Sequence, residues 1–95
     1  MEVTIKENSW LGKIAAKKLG AQNVAIVLGK TIHLYNVTRE EFLFDKKWVK
    51  HEMCHVNQFE TNGYYTFIIK YLWESMKSGY YNNKYEIEAR EAEEL

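Results

Sequence analysis

The sequence predicts a small α+β domain in which a short antiparallel sheet packs against helices. Residues 23–36 contain two short apolar runs separated by Gly29-Lys30, the pattern of a β-hairpin with a two-residue turn. Three longer segments have apolar residues at helical spacing: 10–19, 44–61 and 64–77. A last helical segment, 84–95, is rich in glutamate. These patterns predict one sheet, the hairpin, packed on the helices.

The composition limits the number of domains and the classes of partner that we expect. The chain has 95 residues, 46% of them hydrophobic, so we expect a single domain, 1–95, with one core. The formal net charge is zero and no basic block is present, which argues against nucleic acid as a partner. One cysteine excludes an intramolecular disulfide framework. Residues 1–6 carry no apolar leader, so a cytoplasmic protein is the expectation.

The N-terminal third predicts a strand, a helix and the hairpin. Val3 and Ile5 alternate with polar residues, as in a short edge strand. Ser9 is the predicted N-cap of a helix from Trp10 to Leu19, and Gly20 is its predicted end.

The hairpin should turn one face of its second strand toward the core. Ile32 and Leu34 would face inward, with His33 on the opposite face. Residues 36–45 are predicted to be a loop or a short helical turn, because Thr38 and Glu41 have capping-box spacing.

The segment from Phe44 to Thr61 is predicted to be a long helix ended by Asn62-Gly63. On a helical wheel of about 100° per residue, most of its apolar side chains share one broad arc: Phe44, Trp48, Val49, Val56 and Phe59. His51 and His55 lie together at the edge of this arc. Glu52 falls in its middle.

Residues His51-Glu52-Met53-Cys54-His55 have the pattern H-E-x-x-H. Two histidines four apart on a helix can bind one zinc ion, and the glutamate can reach a water held by that ion. The alternative is a chance match on an ordinary helix. That alternative leaves an unpaired carboxylate in an apolar arc, which is costly. A third protein ligand must come from elsewhere in the chain.

Residues 64–77 predict a second helix that is apolar almost all round. Its polar positions form one narrow stripe: Thr66, Lys70, Glu74 and Lys77. Such a helix is expected to be buried on several sides. It is too short to span a membrane, and a homodimer contact is the other way to cover it.

The motif together with Glu86-Ile87-Glu88-Ala89 resembles the gluzincin branch of the zincin-like metallopeptidases. That resemblance implies a minimal zincin-like fold. It also implies Glu86 as the third ligand, three residues before the small close-packing Ala89. Members commonly carry aspartate or asparagine where this chain has Arg90. Glu88 is the rival ligand, and it lies on the opposite side of the helix from Glu86.

The resemblance implies a zinc-dependent peptidase in which His51, His55 and Glu86 bind Zn²⁺ and Glu52 activates the zinc-bound water. Gln58 is expected to orient a ligand or line the cleft. Several side chains are candidates to stabilise the developing oxyanion: His33, Tyr80, Tyr81 and Tyr85.

Two further function classes stay open. The first is a metal-binding zincin-like module that is regulatory or interacts with proteins without catalysis, because so short a chain leaves little room for a deep cleft. The second is a metal-free helical interaction protein. The expected partners are a peptide or protein substrate, no nucleic acid and no membrane, with a homodimer through residues 64–77.

Overall fold

The computed structural model describes residues 2–95, which form five helices and a three-stranded sheet. The elements follow in this order: β1 (Thr4–Lys6), α1 (Trp10–Leu19), β2 (Val24–Leu28), β3 (Thr31–Tyr35), α2 (Arg39–Phe44), α3 (Lys46–Asn62), α4 (Tyr64–Ser78) and α5 (Lys84–Ala92). The predicted α+β class is confirmed.

The sheet is mixed, and the prediction of an antiparallel sheet is therefore wrong for one of its pairs. The strand order is β1-β3-β2, with β2 and β3 antiparallel but β1 and β3 parallel. Ile5 lies opposite Ile32 in the parallel pair. No turn joins β1 directly to β3, so the local alternation of Val3 and Ile5 indicates a strand without fixing its direction.

The predicted hairpin is confirmed, and Gly29 has the positive φ of +65° that its turn requires. Ile32 and Leu34 are buried in the core, as predicted. Helix α1 covers the middle of the opposite face, whereas Thr31 and Tyr35 at its two ends stay partly exposed. Gly12 approaches so closely that an added Cβ would lie 2.9 Å from the Tyr35 Cβ. His33 is consequently buried, and its Nδ1 lies 2.9 Å from Ser9 Oγ.

Most helix ends follow the local signals, and three features differ from the prediction. Ser9 precedes α1 but makes no side-chain capping bond, α5 ends at Ala92 and not at residue 95, and the motif helix starts later than predicted. Thr38 and Glu41 form both bonds of a capping box, so the short helical turn predicted there is α2. Asp45 then caps α3 by accepting a hydrogen bond from the Trp48 backbone N–H. The motif helix therefore begins at Lys46, not at Phe44. Phe44 belongs to α2 and is 89% exposed, so its predicted place in the buried arc is wrong.

The core lies between one sheet face and the helices α2, α3 and α4. Its buried members come from five elements: Val27, Ile32, Leu34, Phe42, Val56, Phe59 and Phe67. Helix α5 packs along α3 and brings the fully buried Ala89 into the protein interior. The sheet and α5 thus flank α3, the helix that carries the motif.

Helix α4 is much less buried than predicted. Only Phe67 and Glu74 of this helix are buried. Its outer side carries an exposed set that we term the α4 apolar stripe: Tyr65, Ile69, Leu72, Trp73 and Met76. Three short strands and one supporting helix give α4 only one face to pack on, which is the reason for the difference. None of the helices in the described part of the chain is long and apolar enough to cross a membrane.

Candidate metal centre

The motif helix presents two imidazoles one turn apart. The ring centroids of His51 and His55 are 5.0 Å apart, and the rings are nearly perpendicular. His55 is buried and His51 is partly buried, so both rings lie beneath the surface rather than on it. The four-residue spacing has produced the shared face that the motif predicts.

Glu86 on α5 meets both histidines. Its Oε1 is 3.1 Å from His51 Nε2, and its Oε2 is 3.2 Å from His55 Nε2. One ligand atom from each residue can be chosen so that all three lie within 4.8 Å of one another. Among residues 2–95 these three form the one group of metal-ligating side chains that could hold an ion. Histidine nitrogens with one carboxylate oxygen are a donor set that suits zinc.

A buried cap fixes the position of Glu86. Asn83, which is fully buried, accepts a hydrogen bond from the Tyr85 backbone N–H and so starts α5. Its amide nitrogen donates to the Tyr71 carbonyl oxygen and to Ser75 Oγ on α4. Because the cap joins α5 to α4, it sets how α5 lies when Glu86 reaches the histidines.

The outer nitrogens of both rings are hydrogen-bonded to oxygen acceptors. His55 Nδ1 lies 2.8 Å from Gln58 Oε1, and His51 Nδ1 lies 2.7 Å from Glu93 Oε2. The amide nitrogen of Gln58 donates to the Tyr85 carbonyl oxygen, so its oxygen must face the ring. Both histidines therefore carry a proton on Nδ1. That arrangement leaves each Nε2 directed at the centre of the cluster, as metal-binding histidines require.

Tyr71 on α4 completes the surroundings of the carboxylate. Its hydroxyl donates to Glu86 Oε2 at 2.5 Å. Burial and the neighbouring Glu86 carboxylate raise the pKa of Tyr71 well above its ordinary value, so the hydroxyl stays a proton donor. Oε2 of Glu86 thus keeps a hydrogen-bond donor in Tyr71 that is not itself a candidate metal ligand.

The two histidines and Glu86 shift one another's pKa values strongly. Burial alone would lower the pKa of His51, but hydrogen bonds to Glu86 and Glu93 outweigh burial and raise it to about 9. The pKa of His55 is raised for the same reason, with Glu86 as the main partner. Burial opposes ionisation of Glu86, yet the two histidines hold its pKa well below the usual range. Protons on the two Nε2 atoms therefore occupy the positions that a divalent cation would take.

Glu52 lies beside this cluster and is only 5% exposed. Burial raises its pKa to about 7, although the neighbouring His55 and His51 act in the opposite direction. A carboxylate with a pKa near neutrality can both accept and return a proton at physiological pH. The predicted position of Glu52 in the apolar arc is confirmed by its burial.

A cavity of about 260 Å³ opens over the cluster. Its polar lining consists of His51, Glu52 and His55 of the motif, with Glu86 and Tyr80. The other walls are largely apolar and come from α1, β2 and α4, with these members among others: Leu19, Ala25, Val27, Ile68 and Leu72. The cavity is therefore a largely apolar pocket whose lining includes a few ionisable groups.

The rival ligand Glu88 points elsewhere. Its Oε1 accepts a hydrogen bond from the amide nitrogen of Gln58 at 2.7 Å. Cys54 lies beside the same carboxylate, with Sγ 3.8 Å from it, and burial raises the pKa of the thiol to about 11. The structure thus brings Glu86, and not Glu88, to the two histidines.

The four candidates for oxyanion stabilisation lie in different places. Tyr80 lines the cavity beside the cluster. Tyr81 is exposed and packs against the Arg90 guanidinium, 4.0 Å from its ring centre. The Tyr85 ring packs against Phe67 on α4. His33 lies on the α1 side of the sheet, bonded to Ser9.

Three residues of the site escaped the sequence analysis: Tyr71, Asn83 and Glu93. The glutamate-rich composition of residues 84–95 predicts a solvated side chain for Glu93, yet that side chain is only 31% exposed and contacts His51. Its spacing of seven from Glu86 places both on one helix face, a signal that the sequence did contain. Asn83 has a local signal too, because an asparagine directly before a predicted helix is a common N-cap. Its bond to the Tyr71 carbonyl oxygen and the bond of Tyr71 to Glu86 join residues that are distant along the chain, and no local pattern marks them.

Comparisons with known proteins add no relative: no family model, no curated protein and no solved structure matches the chain. The fold and the site therefore define, for residues 2–95, a small α+β protein with a His51–His55–Glu86 cluster that could hold a metal ion.

Proposed function

We propose that this protein is a zinc-dependent peptidase of the gluzincin type, with His51, His55 and Glu86 as ligands. One observation carries the proposal: a buried Glu52 with a pKa near 7 lies beside three convergent ligand atoms, in the lining of a largely apolar cavity. A purely structural zinc site uses four protein ligands and needs no base. Three ligands with an adjacent carboxylate match a hydrolytic site.

The roles of the chain's own side chains follow from their positions. A bound zinc ion would polarise the substrate carbonyl and lower the pKa of a water molecule. Glu52 accepts a proton from the attacking water and donates it to the leaving amine. Tyr80 donates a hydrogen bond to the carbonyl oxygen as negative charge develops there. Burial raises the pKa of Tyr80 to about 12, which keeps its hydroxyl protonated.

The shape of the cavity supports a peptide substrate with an apolar side chain next to the scissile bond. Residues Ala25 to Leu28 of β2 line the cavity. Strand β2 lies at an edge of the sheet, with β3 as its neighbour among the described strands. The free edge can pair with the backbone of an extended peptide while an apolar side chain enters the pocket.

The first experiment measures the zinc content of the purified protein, of Glu86→Ala and of the matched control Glu88→Ala. We expect about one zinc per chain in the wild type and in the Glu88 variant, and a sharp loss in the Glu86 variant. Glu52→Gln should keep the metal and lose hydrolysis of a peptide library. A wild type that takes up no zinc from supplemented buffer would contradict the proposal.

The second candidate is a metal-binding interaction module without catalysis, and the α4 apolar stripe favours it. Four of the exposed residues follow a 4-3-4 spacing, which is the seam of a paired helix: Tyr65, Ile69, Leu72 and Met76. A second copy of α4 would cover this seam in a homodimer. Sedimentation analysis of the wild type and of Ile69→Asp, which does not line the cavity, tests it. A zinc-loaded dimer that cleaves no peptide would favour the module over the enzyme.

A further inference from the structure

We propose that Glu93 is a positioning residue that holds His51 ready for the metal, and that the last residues of the chain keep it in place. This inference rests on the proposed zinc site, because it assigns a role toward the same ion. It does not depend on peptide hydrolysis. The inference would apply equally to a metal-binding module without catalysis.

The contact between Glu93 and His51 has a defined polarity. The carboxylate can only accept a hydrogen bond, so the His51 Nδ1 must carry the proton across the 2.7 Å distance. This tautomer leaves Nε2 as the metal-binding atom. A carboxylate at Nδ1 also raises the basicity of the imidazole, so that Nε2 binds a cation more strongly.

The residues that follow Glu93 attach to the same part of the motif helix. Glu94 forms an ion pair with Lys47, with 3.3 Å between Oε2 and Nζ. The Leu95 carbonyl oxygen accepts a hydrogen bond from Lys50 Nζ. We term residues 93–95 the C-terminal clasp, because each of them contacts the first two turns of α3. These contacts restrict Glu93 to the neighbourhood of His51.

The two ligand histidines are supported in different ways. Gln58, the partner of His55, lies on the same helix three residues away and is uncharged. Glu93, the partner of His51, lies 42 residues away and is charged. His55 therefore has its partner on its own helix, and α5 contributes only by holding the Gln58 amide in the required orientation. His51 keeps its orientation only when α5 and the clasp are docked, so metal affinity and clasp docking must strengthen each other.

The test measures zinc dissociation constants by chelator competition for the wild type, Glu93→Ala, Glu93→Gln and Glu94→Ala. Removing a hydrogen-bond partner of a ligand histidine costs about 10–100-fold in affinity, and we expect that loss for Glu93→Ala. Glu93→Gln retains an oxygen acceptor and should lose less than about tenfold. Glu94→Ala should remain within about twofold, because it removes one exposed ion pair of the clasp, which contributes little, and leaves both Glu93 and the contact between Lys50 and Leu95 in place.

A nitrogen-15 NMR spectrum of the zinc-loaded wild type provides the readout that a purely structural role would not change. We expect the Nδ1-protonated tautomer of His51, with Nε2 bound to the metal. Binding through Nδ1 would overturn the proposal even if Glu93→Ala failed to fold. Equal zinc affinity of Glu93→Ala and Glu94→Ala would overturn it while leaving the zinc site intact. A wild type without zinc affinity would overturn the zinc site itself, and this inference with it.

Discussion

Lowering the pH from about 8 to about 6 should weaken zinc binding to the wild-type protein by at least ~100-fold. The reason lies in the hydrogen bonds that the cluster makes without an ion. Each Nε2 faces a Glu86 oxygen, and this contact raises the pKa of both histidines and so favours a second proton on each in the zinc-free protein. Zinc must displace these protons before it can bind to the same nitrogen atoms.

The magnitude follows from the pKa of His51. With a folded-state pKa of about 9, this histidine is almost fully protonated at pH 7. Displacing that proton at neutral pH costs about 3 kcal/mol, because each pH unit below the pKa corresponds to about 1.4 kcal/mol. His55, whose pKa is also raised, adds a cost of the same sign. One to two protons should therefore leave for each zinc ion that binds.

The stability of the zinc-free fold should change with pH in the opposite direction to zinc affinity: it should increase as the pH falls. The His51 pKa is raised from 6.5 to about 9, so its bonds stabilise the fold fully below about pH 6.5 and lose this contribution as the pH rises through about 9.

The number of protons released when zinc binds can be measured by isothermal titration calorimetry in two buffers of different ionisation enthalpy. His33→Gln, changed on the other side of the sheet, should leave that count unchanged.

The outcome that would refute this reasoning is a zinc affinity that stays constant between about pH 6 and about pH 8, with no net proton release. That result would mean that the two histidines are neutral in the zinc-free protein. The direct bonds from both Nε2 atoms to Glu86 would then be incorrect.

Three further changes test other parts of the structure. Gly12→Ala should lower the free energy of unfolding by about 1–3 kcal/mol in urea titration, because the new Cβ would meet Tyr35, whereas alanine at an exposed α1 lysine should not. Asn83→Ala should lower that free energy by about 2–3 kcal/mol and also weaken zinc binding, since it removes a cap and leaves buried groups unpaired. Tyr80→Phe should reduce kcat for peptide hydrolysis by about 10²–10³-fold at unchanged zinc content; an unchanged kcat would remove Tyr80 from the mechanism.

The elements set by local signals were predictable from the sequence. Gly29 at the turn, the capping box of Thr38 and Glu41, and Gly63 after the motif helix all act within a few residues. The same is true of the shared face of His51 and His55, which follows from helical periodicity alone. These features needed no knowledge of the tertiary fold.

What the sequence could not predict depends on partners that are distant along the chain. The direction of β1 is set by its neighbour β3, and the exposure of α4 by how few elements lie beside it. Asp45 shows the limit even of local reasoning, because its cap separates α2 from α3 inside one apolar pattern. The roles of Tyr71 and Glu93 arise only when three helices meet at Glu86.

Helix α4 is attached to the protein by hydrogen bonds around Glu86 as well as by apolar packing in the core. It buries one aromatic residue, Phe67, while its polar ties run from Tyr71 to Glu86 and from Asn83 to the Tyr71 carbonyl oxygen. Only the first of these bonds depends on Glu86, which must stay in place to accept it. A cation held by Glu86 would keep the carboxylate in this position when the histidines lose their second protons. Metal binding and the docking of α4 are therefore expected to favour each other, which connects the α4 apolar stripe to the state of the metal centre.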